Sequence, residues 1–433
     1  QLAEALIPVA GGLRSFGGYH LLQPSSTNVT TAGTGFRASN STLFMPTTSG
    51  VRWRTEGPIT FEGLPHGMIS SCVSSRDNCE CRPHNQKADN PLQPMSTVFL
   101  KEEGCHLATA MVCEGPDQPL QSIAVFRSHN NGSDWRYLSI AAAGAFFQGK
   151  ATLHGPSEHS VAALADGSLL CIFRVEGDGG HDTLGPGRCA RHTDKGLDYR
   201  PYYQTRSTSG GATWSQPEVL PSDIGCVYPQ LLQLSAPGAP LLLIGGRLCT
   251  ATSNQLDNQL WVNSETGAPA TAWKAYAISA AHDRLWAGSR NLTFGSWIND
   301  TRAFVTQSYN SIVPVGQDGN AALLLYQLYR LPGLDDKKRS PSVGFAMRVS
   351  FPSVGPRHRK PERARDDTTS VSISWTTTLA TTRTTPTCQV VVEPPMWPTS
   401  GVREAALHWL SELGEEASPV FWQSWYVYPH TGV

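Results

Sequence analysis

The stretch that decides the fold is Tyr202–Arg247, YYQTRSTSGGATWSQPEVLPSDIGCVYPQLLQLSAPGAPLLLIGGR. It reads as strand, tight turn, strand, loop, strand, turn, strand. Ser207-Thr208-Ser209-Gly210-Gly211 supplies small hydroxyl and glycine residues whose side chains bond their own backbone, as turns require. Thr213 and Trp214 restart a strand, and the indole is large enough to pin the turn onto a neighbouring sheet. Arg247 ends the apolar run Leu241-Leu242-Leu243-Ile244-Gly245-Gly246. A charge there is costly without a task.

The turn recurs. Ser128-His129-Asn130-Asn131-Gly132-Ser133-Asp134-Trp135 is a second copy, and Asn263-Ser264-Glu265-Thr266-Gly267, closing on Trp273, is a weaker third. Each precedes or follows an apolar strand, and self-similarity at intervals of tens of residues signals a repeat architecture. Between the turns lie hairpins. Glu158–Arg174 turns at Ala165-Asp166-Gly167, and Gln307–Tyr326 turns at Gln317-Asp318-Gly319. Repetition of small antiparallel sheets points to a six-bladed β-propeller over residues 61–352, with a jelly roll or stacked sandwich as the alternative.

Outside that range the character changes. Residues 1–60, rich in Gly, Ser and Thr, read as an irregular lead-in. Gly177–Asp198 reads as an overhanging loop. Residues 353–387 read as a charged, then Thr-rich, low-complexity linker. Residues 388–433 form a C-terminal appendage in which Ser400–Gly414 reads as one short helix, capped by Ser400 and ended by Gly414.

Bulk properties exclude some classes. A net charge of −1 with 16% charged residues gives no basic surface for nucleic acid. No apolar run is long enough for a membrane span. The ten Cys fit no zinc spacing, and neither metal nor other cofactor is expected. Cys79 and Cys81 are too close for a simple bridge, and the Cys72–Cys81 cluster is expected to staple the first blade. Sequons at Asn28, Asn40, Asn131, Asn291 and Asn299, with this Cys usage, point to a secreted or lumenal protein.

The turns resemble the S-x-D-x-G-x-T-W Asp box of the sialidase (neuraminidase) superfamily, with Ser209 or Gly210 where the Asp is usual. The segments GPSEHSVAALADGSLLCIFR, GCVYPQLLQL…LLLIGGR and QSYNSIVPV…ALLLYQ extend the resemblance over roughly residues 70–352. It implies an exo-sialidase or trans-sialidase acting on sialylated or other acidic glycans. The alternatives are a propeller that binds glycans or proteins without cleaving them, and a hydrolase of another acidic sugar. Within the resemblance Tyr309 matches the nucleophile and Arg247 the middle carboxylate-binding arginine. A neutral phenol avoids the repulsion that a carboxylate nucleophile would meet from the sugar's own carboxylate. Arginines hold that carboxylate through paired, charge-assisted hydrogen bonds. The family's Glu, which acts as base toward the phenol, should fall near Tyr228, where no acid stands. Glu158 is the substitute. Arg174, Arg284 and Arg76 are the other candidate substrate-binding arginines, with His282 and Asp283 as rim residues beside Arg284. No general acid is assigned.

Overall fold

In a computed structural model of the chain the described residues are 5–9, 12–16, 35–47, 50–65, 68–70, 81, 92, 94–115, 118–150, 152, 154–175, 201–225, 227–249, 256–265, 267–285, 306–329, 342–351 and 374–376. Strands β1 (Ala5–Val9), β2 (Gly12–Phe16), β3 (Gly35–Thr47) and β4 (Gly50–Glu62) form an antiparallel meander. β5 (Ile69–Ser70) and β6 (Pro94–Leu100) both pair with β7 (Cys105–Cys113), which is followed by β8 (Gln121–Ser128) and β9 (Asp134–Ala142). β4 pairs with β9 in parallel, so these strands make one sheet. Three further sheets are four-stranded antiparallel meanders. They are β10 (Pro156–Ala163) to β13 (Glu218–Val219), β14 (Val227–Gln233) to β17 (Trp273–Ala277), and β18 (Thr306–Val315) to β21 (Ser374–Thr376). Between them come β11 (Leu169–Val175), β12 (Tyr203–Ser207), β15 (Leu241–Cys249), β16 (Leu256–Asn263), β19 (Ala321–Tyr329) and β20 (Ser342–Ser350). One helix, α1 (Ile278–Leu285), follows β17. The protein is all-β, as its turn chemistry and hairpins indicate.

The second strand of each sheet explains the stacking. Along β11, Leu169, Cys171 and Phe173 enter the core shared with the preceding sheet, while Leu170 and Ile172 enter the core shared with the next. Along β15, Leu241 and Leu243 join that second core, while Leu242 and Ile244 join a third with Ile312, Leu324 and Tyr326. An unbroken apolar run in a structure of period two means burial on both faces.

The first strands of the sheets lie side by side and are tied across the seams. The Val161 N–H donates to Ser96 Oγ at 2.9 Å, and the Leu231 N–H to Ser160 Oγ at 3.0 Å. His159, wholly buried, adds a third tie through Nε2 to Thr109 Oγ1 at 2.9 Å, with Nδ1 2.8 Å from the Ser157 carbonyl oxygen. The Ser157 carbonyl can only accept, so Nδ1 carries the proton and Nε2 accepts from Thr109.

Two of the three repeated turns are built alike. Ser128 Oγ accepts from the Gly132 N–H, and Ser207 Oγ from the Gly211 N–H, each at 2.9 Å. Asn130 Oδ1 accepts from the Asp134 N–H at 3.0 Å, and Ser209 Oγ from the Thr213 N–H at 2.9 Å. Trp135 and Trp214 return their indole N–H to the carbonyls of Gly132 and Gly211. Ser209 therefore stands in the acidic place, and Gly210 does not. Gly132 and Gly211 have φ of +75° and +86°, which a Cβ would disfavour. The third turn differs: Asn263 Oδ1 accepts from the Glu265 N–H, and Gly267 and Ala268 both take positive φ. The Ser207–Trp214 turn docks on the sheet before it. Arg127 donates to the Gly210 carbonyl at 2.7 Å while paired with Glu103 at 3.2 Å, and Ser139 donates to the Gly211 carbonyl.

Several expectations need correction or fall outside the described residues. The stretch read as an irregular lead-in contains β1–β4. Its final strand reaches β9 because Phe61 stacks on Trp135 and meets Phe126 edge-on, burying all three rings. The last sheet takes its outer strand, β21, from the Thr-rich segment beyond residue 352. Cys81 does staple the first blade-like sheet, but through Cys113 at the end of β7. Closing a loop of that length contributes roughly 3–4 kcal/mol. Cys72, Cys79, the 177–198 loop and the 400–414 helix lie outside the described residues. No helix among the described residues is long and apolar enough to cross a membrane.

Two measurements test this packing. Burial lowers the His159 pKa from 6.5 to about 4, outweighing its hydrogen bonds. The unfolded chain therefore binds a proton first as pH falls, and stability present above pH 6.5 is lost toward pH 4. The contribution is on the order of 3 kcal/mol. Urea unfolding from pH 7 to pH 4 should lose that much more stability in the wild type than in His159→Gln; equal slopes would refute it. Ser209→Asp should raise stability by about 0.5–1 kcal/mol, because a carboxylate takes the Thr213 N–H more strongly than a hydroxyl does.

Candidate functional site

One strand in every sheet (β6, β10, β14 and β18) breaks its ladder near its start. The breaks fall between Pro94 and Ser96 in β6, Pro156 and His159 in β10, Val227 and Gln230 in β14, and Gln307 and Ser311 in β18. A bulge frees residues from alternation and re-aims their side chains, and such bulges recur beside active sites. Glu158, Tyr228 and Tyr309 are bulge residues of three successive sheets.

Register places two of the candidate arginines, Arg174 and Arg247, at the same end. Arg174 stands opposite the β10 bulge, between Phe173, which pairs with His159, and Val175, which pairs with Pro156. Arg247 directly follows Gly246, which pairs with Val227, and lies in a second irregularity between Gly245 and Leu248. The ends meet in space because the seam bonds run in step: Glu158 with Tyr228, then Ser160 with Leu231. At the opposite end the Ala236 N–H donates to the Gly319 carbonyl, so the hairpin turns of the third and fourth sheets also abut.

The described centre of the site is one carboxylate. Glu158 Oε2 accepts from Arg174 Nη1 at 2.9 Å and from the Tyr228 backbone N–H at 3.0 Å. The Glu158 and Arg174 side chains are 14% and 13% exposed, so the pair is mostly withdrawn from water but not sealed. Ser157 Oγ donates to the Arg174 carbonyl at 3.3 Å and closes the bulge. Glu158 thus reaches the backbone of Tyr228, the position near which the sequence led us to look for an acid.

Two features beside it are energetically costly. Tyr228 is fully buried yet has a φ of +35°, and it precedes Pro229. A bulky residue in the left-handed region is strained, and a following proline narrows its options further. Two residues on, Gln230 is fully buried with neither amide atom hydrogen-bonded among the described residues. Leaving such an amide unpaired costs about 1–3 kcal/mol.

Arg284 is exposed in the last turn of α1. His282, expected on a rim, is instead wholly buried and joins Tyr326 Oη through Nδ1 at 2.7 Å. That contact sets α1 at the bulge end of the fourth sheet, since Tyr326 adjoins the Gln307–Gln327 pair. The side chains of Arg247, Tyr309 and Asp283, and the whole of Arg76, lie outside the described residues. Among the described residues no group of three or more His, Cys, Asp and Glu side chains is placed to hold a metal ion.

Sequence reasoning missed the Glu158–Arg174 pairing, the Tyr228 backbone and the unpaired Gln230. One available signal was the surplus residue ahead of each apolar run, in Pro156-Ser157-Glu158-His159, Val227-Tyr228-Pro229-Gln230 and Gln307-Ser308-Tyr309-Asn310.

Comparison with known proteins adds only distant likenesses. No protein-family model matches the chain, and no curated protein matches it. Among solved structures, a protein of unknown function from Dyadobacter fermentans aligns with a TM-score of 0.44 at 16% identity, over 78% of this chain and 73% of that one. A thermostable family-43 glycoside hydrolase aligns at 0.41 and 11% identity, over 84% and 96%. The α-L-arabinofuranosidase of Fusarium graminearum aligns at 0.37 and 13% identity, over 66% and 67%. At such scores and identities the likenesses say nothing about activity.

The ion pair makes a direct prediction. Removing one member of a buried pair strands the other charge, so Glu158→Ala and Arg174→Met should each cost about 3 kcal/mol in urea unfolding. The double variant should cost little more than either single one. Additive losses would mean that the two charges do not interact.

Proposed function

We propose that this chain is a β-propeller glycoside hydrolase of the sialidase type, acting on terminal sialic or related acidic sugars at the bulge end of its sheets. A six-bladed closed ring is part of that proposal. The observation that carries it is the carboxylate–guanidinium pair of Glu158 and Arg174 at the same end as the backbones of Arg247 and Tyr309.

In this reading Arg247 holds the sugar carboxylate, with Arg174 beside it and Arg284 and Arg76 as further contacts. Arg174 is already paired with Glu158. Tyr309 attacks the anomeric carbon through its phenol oxygen, forming one C–O bond as the bond to the leaving oxygen breaks, and that oxygen takes a proton from solvent. Glu158 takes the phenol proton, because a phenol with a pKa near 10 is otherwise scarcely ionised at neutral pH. Water then adds its hydroxyl to the anomeric carbon and releases its second proton to solvent, while Glu158 returns the phenol proton to the departing Tyr309 oxygen. A secreted or lumenal setting fits a glycan substrate and the Cys81–Cys113 bridge.

A second reading rests on the same carboxylate. Glu158 Oε2 already accepts two hydrogen bonds. An acceptor so engaged is better suited to fixing Arg174 than to taking a proton, which favours a propeller that binds acidic glycans without cleaving them.

One variant separates these. Under the hydrolase reading Tyr309→Phe should lower turnover of a fluorogenic sialoside by at least about 10³-fold while sialic acid still binds. Turnover unchanged in the variant removes Tyr309 from the chemistry. Binding without any wild-type hydrolysis between pH 4 and pH 8 selects the binding protein.

A further inference from the structure

Two costly features and one hydrogen bond across the seam share the short segment that opens the first strand of the third sheet. Tyr228 holds a left-handed backbone ahead of a proline, its N–H reaches across the seam to Glu158, and Gln230 is buried with an amide unpaired among the described residues. Folding alone would remove both costs. Glycine or asparagine relieves the first, and serine, present at the same ladder level as Ser160 opposite Ile172, relieves the second. Strain and unsatisfied polar groups persist where the surroundings enforce them for function.

We propose that Tyr228 is a positioning residue of the site described above. Its left-handed backbone aims the N–H at Glu158 Oε2, and the carboxylate so fixed holds Arg174 in register with the bulge. An extended backbone at this position would turn the N–H toward its own sheet and take this donor away from the carboxylate. The conformation of residue 228 is then the specific requirement, and the ring supplies the packing that enforces it. The ligand served is the acidic monosaccharide proposed for this site, and the inference rests on that reading.

The test exploits an inversion of residue order. In an ordinary strand position valine is favoured over alanine and alanine over glycine. At a left-handed position the order reverses. Tyr228→Gly should melt roughly 2–4 °C above Tyr228→Ala, and Tyr228→Val should melt lowest. Calorimetric titration with sialic acid and with glucuronic acid should follow the same order. Tyr228→Gly should stay within about threefold of the wild type, while Tyr228→Val loses about tenfold or more. Glu158→Gln should weaken binding in the wild type and add nothing in Tyr228→Val, since there the carboxylate is already misplaced. Should the glycine variant not fold, Tyr228→Asn against its near-isostere Tyr228→Leu gives the same comparison, with asparagine ahead if the backbone decides.

A valine-first melting order overturns the strained conformation. A glycine-first melting order with binding equal in all variants overturns the positioning role alone. A wild-type chain that binds neither sugar overturns the glycan reading and this role with it, while the melting order still reports the strain.

Discussion

A sheet whose second strand reads Leu-Leu-Leu-Ile has no face to offer to water. Leu241 and Leu243 must be covered from one side, and Leu242 and Ile244 from the other. That constraint makes the second and third sheets each dependent on a neighbour at either face and sets the sheets side by side. Fixing the neighbours fixes what lies between first strands. There the backbone cannot pair sideways with the next sheet as a ladder would, so buried N–H groups turn to hydroxyls. Ser96 and Ser160 take one each, and His159 closes a third contact through Thr109. The seams are polar because the faces beside them are not.

Much of this was legible in the sequence because it is local. The turn at Ser207–Trp214 forms all its internal bonds within a few residues, so its chemistry can be read without knowing the fold. The hairpins at Asp166-Gly167 and Asp318-Gly319 are equally self-contained. The parts that escaped depend on distant partners. β4 reads as an unremarkable polar run until Phe61 meets Trp135. β21 is three residues of a Thr-rich stretch, and it pairs through its backbone with an edge that any sequence free of proline could extend. α1 is Ala-rich and carries a usable helical signal, but its meaning lies in His282 reaching Tyr326 on another sheet.

The candidate site divides in the same way. Glu158 and Arg174 could each be suspected as charges at the ends of apolar strands. Their union could not, because an antiparallel pair brings together residues whose offset depends on the turn and on the bulge. The surplus residue in Pro156-Ser157-Glu158-His159 shifts the register by one and brings the carboxylate round to Arg174. Arg284 was singled out by resemblance as a further substrate-binding arginine, and it stands in the last turn of α1. The expected acid beside Tyr228 was absent from the local sequence because it arrives from the neighbouring sheet.

Glu158 therefore connects the fold to the site. Through Tyr228 it is one more seam bond, the charged counterpart of Ser160 accepting from Leu231 two residues deeper. Through Arg174 it belongs to the chemistry of the mouth. Ser160 satisfies its seam donor with a hydroxyl, while the Gln230 amide is unpaired among the described residues. Placing a carboxylate at the outermost rung puts half of an ion pair where water and an incoming anion can compete for the other half. In the proposed glycan site Arg174 would exchange part of its interaction with Glu158 for a ligand carboxylate while the backbone donor at Tyr228 kept Glu158 from swinging away. On that proposal the strain at Tyr228 would keep the exchange local, confined to one guanidinium and leaving the seam intact.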